Sequence, residues 1–375
     1  MKNRLFIFSL LPLLCCCGGT VRYASFHPGE IWSDNKGVHI NAHGGGFLYD
    51  NGTYYWFGEH KTEGEDGNLA NVGVHCYSSK DLYNWKDQGI ALHVEPEGSG
   101  SDIEKGCILE RPKVIYNAMT GKYVMWFHLE PKGKGYKGAL SGVAVADRVT
   151  GPYTFLHASR ANAGHWAMNT PEFMKTAPVL CEGADFDGGN LAGQHPDTLN
   201  IMRRDLAGGQ MARDMTLFVD DNGKAYHIYS SEENSTLHIA LLTEDYTGHT
   251  GIYTRNFVNR FMEAPAMFKK DGKYYLMMSG CTGWAPNQAR SAVAADILGP
   301  WTELGDPCID DVKETTFDSQ STYILPVYGT GTYIYMGDRW RPKDAIDGRY
   351  VWLPVEFDGN RFHIRWHDEW KLTRQ

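Results

Sequence analysis

The chain has 375 residues, enough for two domains at roughly 150 residues each or for one large all-β domain. Its 36 Lys and Arg against 45 Asp and Glu leave a net charge of -9, the opposite of the basic face that a nucleic-acid binder carries. A 42% hydrophobic, 22% charged composition excludes disorder, and 42 Gly with 21 Tyr, 16 Phe and 11 Trp point to short strands, tight turns and aromatic surfaces.

In chain order, Met1-Lys2-Asn3-Arg4 opens with charge, and Leu5 to Leu14 is an apolar run of signal-peptide length, too short to span a bilayer as a helix. Cys15, Cys16 and Cys17 follow, then Gly18-Gly19, a pattern that resembles a bacterial lipoprotein signal; plain secretion with cleavage nearby is the alternative. The expectation is a signal over 1–17, a tether over 18–29 and a single catalytic domain over 30–375, exported to the periplasm or the outer cell surface, touching membrane only through a lipid anchor. Cys76, Cys107, Cys181, Cys281 and Cys308 are odd in number and widely spaced; they show no zinc-binding spacing and read mostly as small buried apolar residues, with one disulfide open.

Five segments then repeat one pattern of apolar strand, turn with Gly, and aromatic strand. They are Gly46 to Phe57 around Asn51-Gly52, Lys113 to Trp126 around Gly121, Leu217 to Ile228 around Asn222-Gly223, Ala266 to Met277 around Asp271-Gly272, and Tyr323 to Tyr335 around Gly331. Each reads as a β-hairpin, because Asn-Gly and Asp-Gly supply positive φ at the turn and Tyr-rich strands suit a half-buried pleated surface. A second strand pair follows several of them, as in Val72 to Ser79 with Asp81 to Trp85 and Gly142 to Ala146 with Gly151 to Phe155. Four-stranded units repeated five times predict an all-β, five-bladed β-propeller, preferred over a flat sandwich because the units are sequential and alike. An insertion of about Ala158 to Ala212 interrupts the spacing, and Thr170-Pro171-Glu172-Phe173-Met174 within it is expected to start a short helix. Tyr350 to Trp370 supplies the closing strands.

Polar residues just before each inner strand face the mouth of a propeller, and every unit offers some: Asn41 to Gly46 with Glu59 and His60, Glu110-Arg111-Pro112, Arg213-Asp214, Glu263-Ala264-Pro265, and Asp318-Ser319-Gln320. Carboxylates crowded at one mouth shift one another's pKa values, which suits acid/base chemistry. Arg213-Asp214 before Leu217-Phe218-Val219-Asp220-Asp221, and Glu263-Ala264-Pro265-Ala266-Met267-Phe268-Lys269, resemble glycoside hydrolase family 43. Asn41-Ala42-His43-Gly44-Gly45-Gly46, Tyr54 to Lys61, Glu110 to Val114 and Ser230 to Asn234 are similar to its branch of exo-β-1,3-galactanases and related β-galactosidases. The resemblance spans about residues 30 to 372. It implies an inverting exo-glycosidase that removes terminal β-galactose from β-1,3-galactan or arabinogalactan, with Glu263 as general acid and Asp214 tuning it. The separation of acid and base in such enzymes is roughly 6.5–9.5 Å.

The usual base is missing. Where most of the family has Asp-Pro before the first inner strand, this chain reads Asn41-Ala42-His43-Gly44-Gly45. By resemblance to the galactanase branch, Gln320 acts there; Glu110 and His43 are rivals. Sugar hydroxyls are expected to meet Glu59, Glu110, Glu232, Asn234 and Thr282. Trp284 is the foremost stacking face, with Trp340 and Trp126 as others, although Trp126 equally reads as core. The resemblance implies no cofactor; His residues near inner strands such as His227 show no ligand spacing, and no metal is expected. An α-L-arabinofuranosidase or β-xylosidase of the same family, and a carbohydrate-binding propeller without catalysis, are the competing readings. Retention of Glu263 and Asp214 favours an enzyme.

Overall fold

Two-residue turns in which both residues take positive φ match the twist of antiparallel strands, and Asn51-Gly52 (φ 47° and 77°) and Asp271-Gly272 (φ 50° and 73°) close their hairpins this way. In the computed structural model, which describes residues 22–184, 186 and 191–373, such hairpins pair into five sheets. The first is β1 (His43–Asp50), β2 (Thr53–Lys61), β3 (Asn71–Ser79) and β4 (Lys86–His93). The second is β5 (Ile108–Asn117), β6 (Lys122–Glu130), β7 (Leu140–Ala146) and β8 (Thr154–Ser159). The third is β9 (Met215–Val219), β10 (Ala225–Ser231), β11 (Thr236–Leu242) and β12 (His249–Asn256). The fourth is β13 (Met262–Lys270), β14 (Lys273–Gly280), β15 (Arg290–Ala294) and β16 (Thr302–Gly305). In the fifth, β18 (Gln320–Pro326), β19 (Tyr333–Arg339), β20 (Arg349–Asp358) and β21 (Arg361–Arg365) are joined by the two-residue β17 (Cys308–Ile309), which runs parallel to β21.

The innermost strands β1, β5, β9, β13 and β18 each touch the next, and β18 touches β1, so the ring is closed: a five-bladed β-propeller. Each blade is buried on both faces, which explains the near-continuous apolar and aromatic runs in the middle strands. Blades one and five are sealed by an aromatic cluster that includes Phe26, Phe47, Trp56, Trp85 and Trp352. Phe26, within the stretch expected as a tether, exchanges backbone hydrogen bonds with Trp370 (2.9 and 3.2 Å), so residues 22–29 clasp the closing segment. The expected signal over 1–17 lies outside the described residues; among those described, no helix is long and apolar enough to cross a membrane.

The insertion contains α1 (Pro196–Leu199) and α2 (Ile201–Arg204), and the helix expected after Thr170 is a single 3-10 turn, Glu172–Lys175. Met174 and Met202 plug it into the interface of blades two and three beside Tyr229 and Tyr253. Cys76, Cys107, Cys181, Cys281 and Cys308 are all free thiols.

One irregularity recurs. The inner strands break register near their N-terminal ends: between His43 and Gly46, Glu110 and Lys113, Glu263 and Ala266, and Ser321 and Tyr323. Gly44 (φ 58°), Arg111 (φ 56°) and Ala264 (φ 53°) are left-handed at these points. Such bulges re-aim side chains that a regular strand would send into the blade, and here they turn Glu110, Arg111 and Glu263 to the axis.

Candidate active site

The mouth formed by these bulges holds a cavity of about 350 Å³, lined by Glu59, Glu110, Arg111, Asp214, Glu263 and Gln320 on its floor, with Asn68, His128, Tyr136, Arg213, Asn234, Cys281, Trp284 and Trp340 around them. Residues from all five blades meet here. The three carboxylates nearest the chemistry differ sharply in their surroundings.

Glu263 accepts one hydrogen bond from Asn234 Nδ2 (2.9 Å) and sits beside the Cys281 thiol. Burial, reinforced by the negative charge of Asp214, raises its pKa to about 8. It is therefore a carboxyl that keeps its proton at neutral pH. Asn234 reaches it because Glu232, Glu233 and Asn234 form three consecutive left-handed residues (φ 50°, 58° and 63°) between β10 and β11. Glu233 is held there by Arg204 (2.9 Å) from the insertion and by Arg213 (3.2 Å).

Asp214 lies just before β9. It takes both nitrogens of a fork from Arg111, Nε at 3.2 Å and an Nη at 2.9 Å, and accepts the backbone N–H of Ala264 at 3.1 Å. The last bond ties Asp214 to the residue that follows Glu263, which places its charge next to the acid. Arg111 is the hub of the floor. It also donates to Gln320 Oε1 (2.5 Å) and to the Ser321 carbonyl (3.0 Å), its own N–H meets Glu59 Oε1 (2.9 Å), and its guanidinium lies 5.2 Å from the Trp340 ring.

Glu110 has the opposite environment to Glu263. Burial pushes its pKa up, but His128 (Nδ1 at 2.9 Å), the charge of Lys61 and Tyr136 Oη (2.8 Å) outweigh it and hold the carboxyl at about 2; Asn68 Nδ2 donates to it as well. His128 is itself clamped on its other nitrogen by Glu130 (2.9 Å), and the two carboxylates overcome burial to raise it to about 10. Glu110, His128 and Asp214 have donor atoms within 4.8 Å of one another, a spacing that a metal ion could use. Their atoms face proton donors and carboxylates instead: His128 is taken on both nitrogens, and Asp214 carries the Arg111 fork. The donor set fits charge pairing, not coordination.

Of the residues expected from sequence, Glu263, Asp214, Gln320, Glu59, Glu110, Asn234, Trp284 and Trp340 converge on the cavity. Glu232 does not. It is fully buried, bound by both Arg255 nitrogens (2.6 Å each) and by His238 (2.8 Å), which braces the β10–β11 turn. Thr282 is not on the cavity wall; its hydroxyl donates to the Ala285 carbonyl and accepts from Asn287 (both 2.6 Å), shaping the loop that presents Trp284. Trp126 is core, its indole N–H on the Tyr246 carbonyl. His227 pairs with His249 (3.1 Å) against Trp126, away from the axis. His43 lies behind the floor, stacked on Trp340 with burial and Lys61 lowering it to about 3, and is not part of the cavity wall. Arg111 and Arg213 stand within the same motifs; Asn68, His128, Tyr136 and Cys281 carry no local signal of a role in the site.

Gln320 is fixed at both ends of its amide. Its oxygen takes Arg111 and the Trp340 indole N–H (3.1 Å), and its NH₂ donates to the Ser279 hydroxyl (2.9 Å). Trp284 stands edge-on to Trp340 at 5.8 Å, an aromatic corner suited to the apolar face of a sugar.

The glycosyl hydrolases family 43 profile matches residues 187–321. Comparison with curated proteins returns no match. Among solved structures, a family 43 β-1,3-galactosidase determined with galactodeoxynojirimycin is 50% identical, covering 92% of this chain and 100% of that one, with a TM-score of 0.87. An exo-β-1,3-galactanase from Clostridium thermocellum is 35% identical over 92% of this chain and 66% of its own, TM-score 0.73. One from Phanerochaete chrysosporium, solved with β-1,3-galactotriose, is 30% identical over 94% and 69%, TM-score 0.74. Identity at this level, sustained over the full length of a structure with the same propeller, makes this chain a member of glycoside hydrolase family 43.

Proposed function

We propose that the protein is an inverting exo-β-1,3-galactosidase that releases galactose from the ends of β-1,3-galactan chains of the arabinogalactan type. The observation that carries the reading is the contrast between Glu263, protonated up to about pH 8, and the ionised Glu110 in the same cavity, with Asp214 beside the Glu263 carboxyl. A glycosidase needs one carboxyl that still holds its proton at working pH. The half-identical β-1,3-galactosidase supports the choice of sugar and linkage.

In this mechanism Glu263 donates its proton to the leaving oxygen, and the bond from that oxygen to the anomeric carbon breaks. Asp214 raises the acid's pKa and, through the Ala264 N–H, holds its strand. Gln320 orients the attacking water. Glu110, at about 2, is too weak a base to take a proton from water readily; it is an ionised acceptor that grips sugar hydroxyls. Trp284 and Trp340 supply the stacking face. The Leu5 to Leu14 run and Cys15 to Cys17 support export with a lipid anchor, which would place the enzyme where polysaccharide is met.

Incubation with β-1,3-galactobiose and with aryl β-galactoside, α-L-arabinofuranoside and β-xyloside tests the reading. Galactose should appear from the first two only, as the α-anomer in the first proton NMR spectra. Release of arabinose or xylose without galactose overturns it, and galactan binding without any release makes the protein a lectin-like propeller. The rate has a defined alkaline limit. Glu263 must be protonated to act, so kcat/KM should fall tenfold per pH unit above about 8; a profile flat to pH 10 on galactobiose would remove Glu263 from the acid role.

A further inference from the structure

The place of the missing base is not empty of carboxylate. Asp338, next to the C-terminal end of β19, accepts the backbone N–H of Gly44 on Oδ2 at 2.6 Å, within the Asn41-Ala42-His43-Gly44-Gly45 stretch where the resemblance to the family leads one to expect an Asp. It lies directly opposite Gln320 in the β18–β19 pair, so both side chains stand on one face of the sheet with Cβ atoms about 4.5–5.5 Å apart. The two residues also line a common cavity of about 40 Å³ behind Trp340, large enough for a water molecule. Asp338 is 3% exposed. A carboxylate in such a place is costly unless it is paired or has work to do.

We propose that Asp338 is the proton acceptor for the attacking water, reached through Gln320 and a water in the cavity they share. This rests on the hydrolase reading above. The water oxygen forms the new bond to the anomeric carbon while one of its O–H bonds breaks. That proton passes to the cavity water, which gives one of its own to Asp338. Glu263 meanwhile gives its proton to the leaving oxygen. Product release and exchange with solvent return one proton to Glu263 and take one from Asp338, so the cycle closes with one water consumed. Asp338 is thus a positioning and relay residue, and Gln320 is the group that touches the reacting water.

The groups facing Asp338 are Arg111 and Lys113 from blade two, Glu59 and the Gly44 N–H from blade one, and Tyr335 and Tyr350 from its own blade. Burial dominates and lifts its pKa to about 7, with the Gly44 bond and the Arg111 charge opposing. The acceptor must be ionised, so activity should rise with pH through about 7 before Glu263 ends it.

Asp338→Asn keeps an oxygen for the Gly44 N–H and loses the acceptor. Its kcat should fall by about 10²-fold or more on aryl β-galactoside and β-1,3-galactobiose alike, and the residual rate should lose the rise near pH 7. Galactose affinity by calorimetry should stay within about threefold. A kcat within threefold of wild type, a loss confined to galactobiose, or a parallel loss of galactose binding each overturns the proposal. If this variant does not fold, Lys113→Met serves instead. Burial lowers Lys113 itself to about 7, so it is partly charged where the limb lies; removing that charge should still move the acid limb upward, and an unmoved limb overturns the proposal. Wild-type enzyme inactive on every galactoside would remove the activity itself; an active wild type with an unimpaired Asp338→Asn removes Asp338 alone.

Discussion

Glu263→Gln is expected to lower the turnover of β-1,3-galactobiose by about 10²–10⁴-fold, the usual value of a positioned general acid. The isosteric amide can keep its oxygen on Asn234 Nδ2, so the turn at Glu232 to Asn234 and the floor built on Arg111 have no reason to move. Burial also favours the neutral amide, since the native carboxyl already spends neutral pH uncharged. Melting temperature should therefore hold or rise slightly, and galactose binding should persist. What the amide cannot do is release a proton to a sugar hydroxylate. An aryl galactoside with an acidic phenol leaves without that proton, so its rate should fall far less. Parallel kcat measurements on the two substrates read the difference directly. Equal losses on both would mean that Glu263 serves the water and not the leaving group.

The hairpins were legible because their causes are local, and Glu263 was marked by the resemblance of its segment to the family. Asn51-Gly52 and Asp271-Gly272 announce positive φ by composition, and Glu263-Ala264-Pro265 carries its bulge with it. Elsewhere the cause was distant. Glu232 and Asn234 differ by two positions in one turn, yet one points at Arg255 inside the blade and the other at Glu263. Three successive left-handed residues decide which faces the axis, and no periodicity of two or 3.6 describes such a turn. Asn68 and Tyr136 arrive at Glu110 from loops 42 and 26 residues away, with nothing in their neighbours to mark them. Asp338 reads as one more polar residue in a Tyr-rich strand; its meaning depends on Gly44, 294 residues earlier. Ring closure is what brings the first and fifth blades together, and that step is global.

Gln320→Ala should collapse the rate on galactobiose and on activated aryl galactosides alike, by an amount comparable to the loss of the acid. Water must attack whatever the leaving group, so an acidic phenol offers no relief. The amide is held at three points, by Arg111, Trp340 and Ser279, which is the signature of a group that must not rotate. Its loss opens space beside Arg111, whose guanidinium is then partly uncovered and attracts anions. Azide can enter there and attack without giving up a proton, so azide should restore turnover of the aryl substrate and yield α-galactosyl azide, the inverted product. Glu110→Ala is the comparison. Glu110 is pinned as an ionised acceptor by His128 and Tyr136, and its removal should raise KM and lower kcat together with no gain from azide. Azide rescue of the Glu110 variant, with none for the Gln320 variant, would transfer the water-activating role to Glu110 and leave Gln320 and Asp338 as parts of the floor.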